Sequence, residues 1–321
     1  MFKNLNPSAL GITGHQSELI ELALTYGFRG IDLNARDFTM RVQRRGMEYA
    51  RRLIDSAKIQ IGTFALPFAP EAEDEEFKLG LQKLPAVAES MAAIGCNRCL
   101  ITVPPAGDKR PYHENFEFHR RRFGEICQAL DPHGIRLGIG FQAPEYLRKN
   151  HAFQFIHDFD ALCLLVSMIA ADNVGMLVDV WDLYVGGGNI VALRNISGHQ
   201  IVAVQVAELA ADQAPTEVDA NSRLLPNDEN GRIDVAAVLR LLHEMGYDGP
   251  VTPAPSRGAL PSKRRDVIVR RTGEALEAVW RAAGLGVDDR LTVAEEIAAP
   301  QPADPVESVE SAESAESVES A

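Results

Sequence analysis

Asn173-Val-Gly-Met-Leu-Val-Asp-Val-Trp-Asp-Leu-Tyr-Val-Gly-Gly-Gly188 is a short apolar run that ends on two carboxylates spaced three apart. From Val174 to Val178 the run is continuous rather than alternating, the pattern of a strand buried on both faces, and it breaks into a Gly-rich loop. Asp179 therefore stands where the strand ends. Strands of this kind belong to parallel sheets covered by helices, where ligands lie beyond the carboxyl ends of the strands. An acid at that point is placed to act on a ligand. The same acid can instead cap the following turn or pair with an Arg.

Working outward, apolar runs of this length recur with amphipathic stretches between them. The pattern predicts strands at residues 8–12, 30–33, 59–66, 98–103, 135–141, 174–178, 200–206 and 249–253. Helices are expected over about 16–26, 40–57, 71–94, 116–130, 153–171, 234–245 and 262–283, several closed by a glycine such as Gly27, Gly95 or Gly246. The fifth strand is glycine-rich, and glycine in a strand marks close approach of a backbone or a ligand. Alternation of this kind over residues 1–284 predicts an α/β chain folded as a single (β/α)8 TIM barrel. A doubly wound sheet is the competing architecture. It would carry a phosphate-binding fingerprint after its first strand, and Gly11-Ile-Thr-Gly14 does not supply one.

The composition narrows the class of protein. The four cysteines, Cys96, Cys99, Cys127 and Cys163, are too few and scattered for a disulfide framework, and Cys96-Asn-Arg-Cys99 has no second pair to complete a zinc site. No stretch reaches the apolar length of a membrane span and the N-terminus carries no signal pattern, so a cytoplasmic protein without a membrane partner is expected. From Leu285 onward ten acids face one Arg290, so −9 of the net charge of −13 belongs there and −4 to the rest. A body so nearly neutral, with no basic stripe, argues against nucleic acid. Residues 285–321 end in a repeated Glu-Ser-Ala or Glu-Ser-Val unit, and such an acidic Glu/Ser-rich tail is expected to be a disordered, solvated appendage open to a protein partner.

Two stretches resemble the xylose isomerase-like TIM barrels of the sugar phosphate isomerase/epimerase superfamily. Val174 to Tyr184 is similar to the family's V-G-L-x-x-D-x-x-H strand, and Arg223-Leu-Leu-Pro-Asn-Asp-Glu-Asn-Gly-Arg-Ile-Asp234 with Gly246-Tyr-Asp-Gly-Pro250 is similar to its R-x-L-P-G-E-G-x-I-D and G-Y-x-G. The resemblance implies one divalent cation held by a Glu, an Asp, a His and a Glu at the ends of strands five to eight, with both Glu also moving protons. The matching positions here read Gly140, Asp179, Gln205 and Ala254, and the family's strand-six His falls at Asp182. No metal or other cofactor is therefore expected. A cation (Mn, Mg, Zn or Co) is implied only if the strand alignment is shifted, with Gln142 or Glu145 standing in at strand five.

At the carboxyl-end face there remain Asp32 and Asn34, the acid pair Asp179 and Asp182, Gln205, Glu208 and Arg223. Asp179 and Asp182 are the candidate catalytic residues, because two close carboxylates push their pKa values apart. Gln205, Glu208 and Arg223 are the candidate substrate-binding residues, Arg223 matching the family arginine that meets substrate oxygens. What the resemblance implies is a sugar isomerase/epimerase-like protein for a small sugar or polyol, with a degenerate metal site. The alternative is a catalytically inactive barrel used for binding or interaction.

Overall fold

The computed structural model describes residues 1–260 and 262–286. The acidic tail expected from residue 285 lies outside them except for Leu285 and Gly286, and Leu285 is buried in the core.

The strands are β1 (Phe2–Leu5), β2 (Gly30–Ile31), β3 (Gln60–Ile61), β4 (Phe64–Ala65), β5 (Arg98–Thr102), β6 (Ala106–Gly107), β7 (Arg136–Gly140), β8 (Phe153–Gln154), β9 (Val174–Asp179), β10 (Ile201–Val206) and β11 (Pro250–Pro253). All but β6 and β8 form one parallel sheet, in the spatial order β3-β2-β1-β11-β10-β9-β7-β5-β4. The two ends of that order, β3 and β4, are halves of one extended stretch interrupted at Gly62-Thr63. The sheet thus curls round on itself into the expected barrel, with helices between successive staves. A Cβ at residue 62 would lie 2.3 Å from the Asn4 side chain, so Asn4 packs here against a position that only glycine leaves open. β6 and β8 pair antiparallel outside the barrel wall.

Four expected elements are corrected. The first strand is Phe2–Leu5 and not residues 8–12. Pro7 has no N–H to give a ladder, and Ile12 N donates to the Pro7 carbonyl at 2.8 Å, so Leu10 and Ile12 are buried under a turn instead. The helix expected over 40–57 is two, Ala35–Arg45 and Met47–Ala57, because Gly46 takes φ 82° and ends the first. The helix expected from 153 is Phe159–Met168, capped by Asp158, whose side chain accepts from Ala161 N at 2.9 Å; the residues before it supply β8. The helix expected from 116 begins earlier and runs Tyr112–Leu130. No described helix is long and apolar enough to cross a membrane. The four cysteines are free, and Cys96, Cys99 and Cys127 are buried, where desolvation pushes the Cys96 and Cys127 thiols up to about 12.

Candidate functional site

Register across β9, β10 and β11 brings Asp179, Gln205 and Thr252 side by side at the carboxyl end of the barrel. Asp179 closes β9 and opens a short helix, Val180–Val185: its Oδ1 accepts from the N–H groups of Trp181 and Asp182, both at 3.0 Å. This satisfies backbone donors that a helix start leaves unpaired. One turn on, Asp182 Oδ1 accepts from Ala143 N at 2.9 Å, which ties the loop after β7 to the same point.

The long segment after β10 folds back over the mouth, pairing Glu208 with Leu224 and Ala210 with Gly231 in isolated antiparallel bridges. That return places Arg223 above the two acids. Its Nη1 donates to Asp179 Oδ2 at 2.7 Å, its Nη2 donates to Asp182 Oδ2, and its guanidinium carbon lies 4.4 Å from the Trp181 ring centroid. The Arg223 carbonyl is pinned in turn by Ser256, whose N–H and Oγ–H donate to it at 2.9 and 3.0 Å. A guanidinium fork with one carboxylate on each arm is a rigid arrangement. Every carboxylate oxygen of Asp179 and Asp182 has a partner, and the two residues are only 6% and 3% exposed. Burial first, and the neighbouring Asp179 carboxylate second, push the Asp182 pKa up, while Arg223 opposes both.

Of the other sequence-derived candidates, Gln205 stands half-buried beside Asp179 and makes no side-chain hydrogen bond among the described residues. Glu208 is buried and faces the loop: Oε2 accepts from Ile233 N at 2.8 Å, and desolvation pushes its carboxyl up to about 7. It fastens the segment that carries Arg223.

The four positions implied for a cation do not fit one. Gly140 and Ala254 offer no side-chain donor, Gln205 offers a carboxamide, and Asp179 is already engaged on both oxygens. A side chain at residue 140 would be crowded, since its Cβ would lie 3.0 Å from Leu177 Cδ2, which would have to give way by a few tenths of an ångström. Gln142 and Glu145 are exposed beyond the end of β7. Among the described residues no three His, Cys, Asp or Glu side chains converge to hold a metal ion.

A second polar group lies across the mouth and was largely invisible in the sequence. Asn4, wholly buried on β1, donates through Nδ2 to Asp32 Oδ1 at 2.8 Å and to Thr252 Oγ1 at 2.9 Å, and Thr63 N donates to the same Asp32 oxygen at 2.8 Å. Thr252 is the register partner of Gln205, so polar side chains run from Asp179 across β10 and β11 to β1 and β2. Burial pushes the Asp32 carboxyl up to about 6 against the bonds from Asn4 and Thr63. Asp32 lines two adjoining clefts at the carboxyl end, of about 520 and 290 Å3. Asn4 is missed because the first strand is expected further along, and Thr63 and Thr252, although on expected strands, are neutral residues that belong to no motif. The buried-strand pattern of Phe2-Lys-Asn-Leu5 was the signal available.

A family model for the xylose isomerase-like TIM barrel matches residues 20–283. An inosose isomerase from Bacillus velezensis is 20% identical over 216 residues, 67% of this chain and 73% of that protein. One from Bacillus subtilis is 23% identical over 128 residues, 40% of this chain and 42% of that protein. Among solved structures, a xylose isomerase domain protein from Alicyclobacillus acidocaldarius is similar with a TM-score of 0.79 at 25% identity, covering 88% of this chain and 99% of that one. The IOLI protein with a bound zinc atom gives a TM-score of 0.70 at 16% identity over 88% of this chain and 99% of its own, a likeness of fold alone.

Proposed function

Because the chain belongs to the xylose isomerase-like TIM barrel family, we propose that it binds a small polyhydroxylated molecule, a sugar or cyclic polyol, at the carboxyl-end mouth of the barrel without a resident cation. The observation that carries this reading is the Asp179–Arg223–Asp182 cluster. It keeps the family's strand-end acid but turns its oxygens to a guanidinium and to backbone N–H groups. Gln205, next to that cluster and uncommitted, supplies both a donor and an acceptor to a hydroxyl. Glu208 acts through the loop it holds, and Asp179 and Asp182 act as the fixed floor of the site. The relatives support the ligand class: two are named inosose isomerases, and D-psicose 3-epimerase, whose structure in the presence of D-fructose is known, shares the fold.

A binding role without isomerisation is the second reading. It is favoured by Gly140 and Ala254 standing where the resemblance implies the two proton-moving Glu residues. The test is calorimetric titration of the full chain with myo-inositol, D-fructose, D-psicose and D-tagatose, with and without EDTA, followed by a search for interconversion of whichever ligand binds. Saturable binding unchanged by EDTA is the expected result. Binding abolished by EDTA would overturn the cation-free site, and no binding across the set would overturn the ligand class.

A further inference from the structure

The open space at the barrel mouth does not lie only over the strands that hold Asp179. Two adjoining clefts, of about 520 and 290 Å3, meet at Ser8, Asp32, Leu33 and Asn34, beyond the ends of β2 and β4; neither is lined by Asp179, Gln205 or Arg223. The larger one has an apolar floor that includes Leu66, Phe68 and Ile101 and a polar rim that includes Asn6, Arg36, Thr63 and Glu71. An apolar surface with a few convergent polar groups is what a sugar ring requires, since its C–H faces need packing and its hydroxyls need directed partners.

Asp32 is the organised member of this sector. The side chain of Asn4 and the backbone N–H of Thr63 both donate to its Oδ1, and the Asn6 side chain also bonds the carboxylate. These bonds fix the carboxylate plane from the barrel interior and leave acceptor capacity toward the cleft, because a carboxylate has about four lone-pair sites. Asn4 is held closely in this cradle: a Cβ at Gly30 or Gly62 would meet its side chain at 2.8 or 2.3 Å. A carboxylate held this way accepts hydrogen bonds from two neighbouring hydroxyls of one ring, the same recognition that two separate neutral acceptors would give less rigidly. By contrast the oxygens of Asp179 and Asp182 are spent.

Resting on the polyol reading above, we infer that the ligand is seated over β2 and β4, with Asp32 as its principal anchor, and reaches Gln205 only at its edge. Arg36 and Asn34, at the start of the helix Ala35–Arg45, stand on the rim of this seat.

The experiment compares Asp32→Ala, Asp32→Asn and Gln205→Ala by calorimetry with the polyol that binds the wild type, each variant first checked by thermal melt. Asp32→Asn keeps an acceptor for Asn4 and Thr63 but replaces a carboxylate oxygen with a donor, so it separates lost recognition from lost folding. Both Asp32 variants should weaken binding by about ten- to a hundredfold, the span of a hydrogen bond to a charged group, and Gln205→Ala by less than about fivefold. Amide shifts on titration of the wild type should centre on Thr63 and Asn34. Binding that survives both Asp32 substitutions and is lost in Gln205→Ala, or shifts confined to β9 and β10, would overturn the seat while leaving the polyol reading intact. Absence of binding to the wild type would overturn that reading and the seat with it.

Discussion

Replacing Arg223 with Met would leave an apolar stem near the Trp181 ring and take the positive charge from between Asp179 and Asp182. In the native protein that guanidinium donates to an oxygen of each acid, and the acid side chains are only 7% and 4% exposed. Water cannot reach them freely enough to take over. Removing one partner of a buried ionic group costs about 3–5 kcal/mol, mostly through the uncompensated charge left behind, and Arg223→Met should lose that much in urea unfolding at about pH 8. The loss must shrink in acid. The Asp182 carboxyl is already pushed up by burial and by the neighbouring Asp179 carboxylate, and removing the guanidinium that opposes them pushes it further up, so its stability contribution is fully present below the unfolded pKa and disappears as pH rises through the folded one. Each proton taken up recovers up to about 1.4 kcal/mol per pH unit, and near pH 5 the deficit should fall below about 2 kcal/mol. The combined Asp179→Asn, Asp182→Asn, Arg223→Met protein should regain most of the stability, since it buries no charge at that point. A single variant within about 1 kcal/mol of wild type at pH 8, or a deficit independent of pH, would refute the reasoning: the acids would then be solvated.

Asp32, whose carboxyl is pushed up to about 6 by burial, should make the protein less stable as pH rises from about 4 to 7. In that window the native state holds a proton that the unfolded chain has released, which is worth at most about 3 kcal/mol. Buried His119, held down to about 4, works in the opposite direction, so the measurement is the difference between wild type and Asp32→Asn in urea unfolding at several pH values; a difference that does not change with pH would discard the assignment. Ending the chain at Gly286 should leave the thermal midpoint unchanged, because the acidic repeat beyond offers little apolar surface to bury; a loss of several degrees in a melt would show that the segment contributes to the fold.

The barrel was legible because its signal is local and repeated. Continuous apolar runs such as Val174 to Val178 and Ile201 to Val206, punctuated by glycines, fall at the spacing of strand and helix whatever the details of the loops. The failures came where local pattern and tertiary context disagree. Leu10 and Ile12 are as buried as strand residues, so the apolar pattern was real, yet Pro7 turns them away from the ladder and gives the stave to Phe2–Leu5. Gly46 lies within an otherwise helical pattern, and only its left-handed φ reveals that the helix stops there. The same displacement of the first strand hid Asn4, and with it the connection between Asp32 and Thr252.

The acids were located correctly from strand ends, but what they do depends on a residue distant in sequence. Nothing near Asp179 announces Arg223, which arrives by a loop whose return is fixed by Glu208, by the bridge to Leu224 and by Ser256. Once it has arrived, the charge balance explains the pattern of replacement. A buried carboxylate without a cation needs another positive partner. Arg223, at the place of the family arginine, is turned onto Asp179 and also satisfies Asp182 at the position where the resemblance implies a His. Gly140, Gln205 and Ala254 carry no charge and call for no such compensation, and Leu177 packs closely beside Gly140. A cation brought to Asp179 would therefore compete with the guanidinium for the same carboxylate oxygen, and a side chain restored at position 140 would need Leu177 to give way by a few tenths of an ångström.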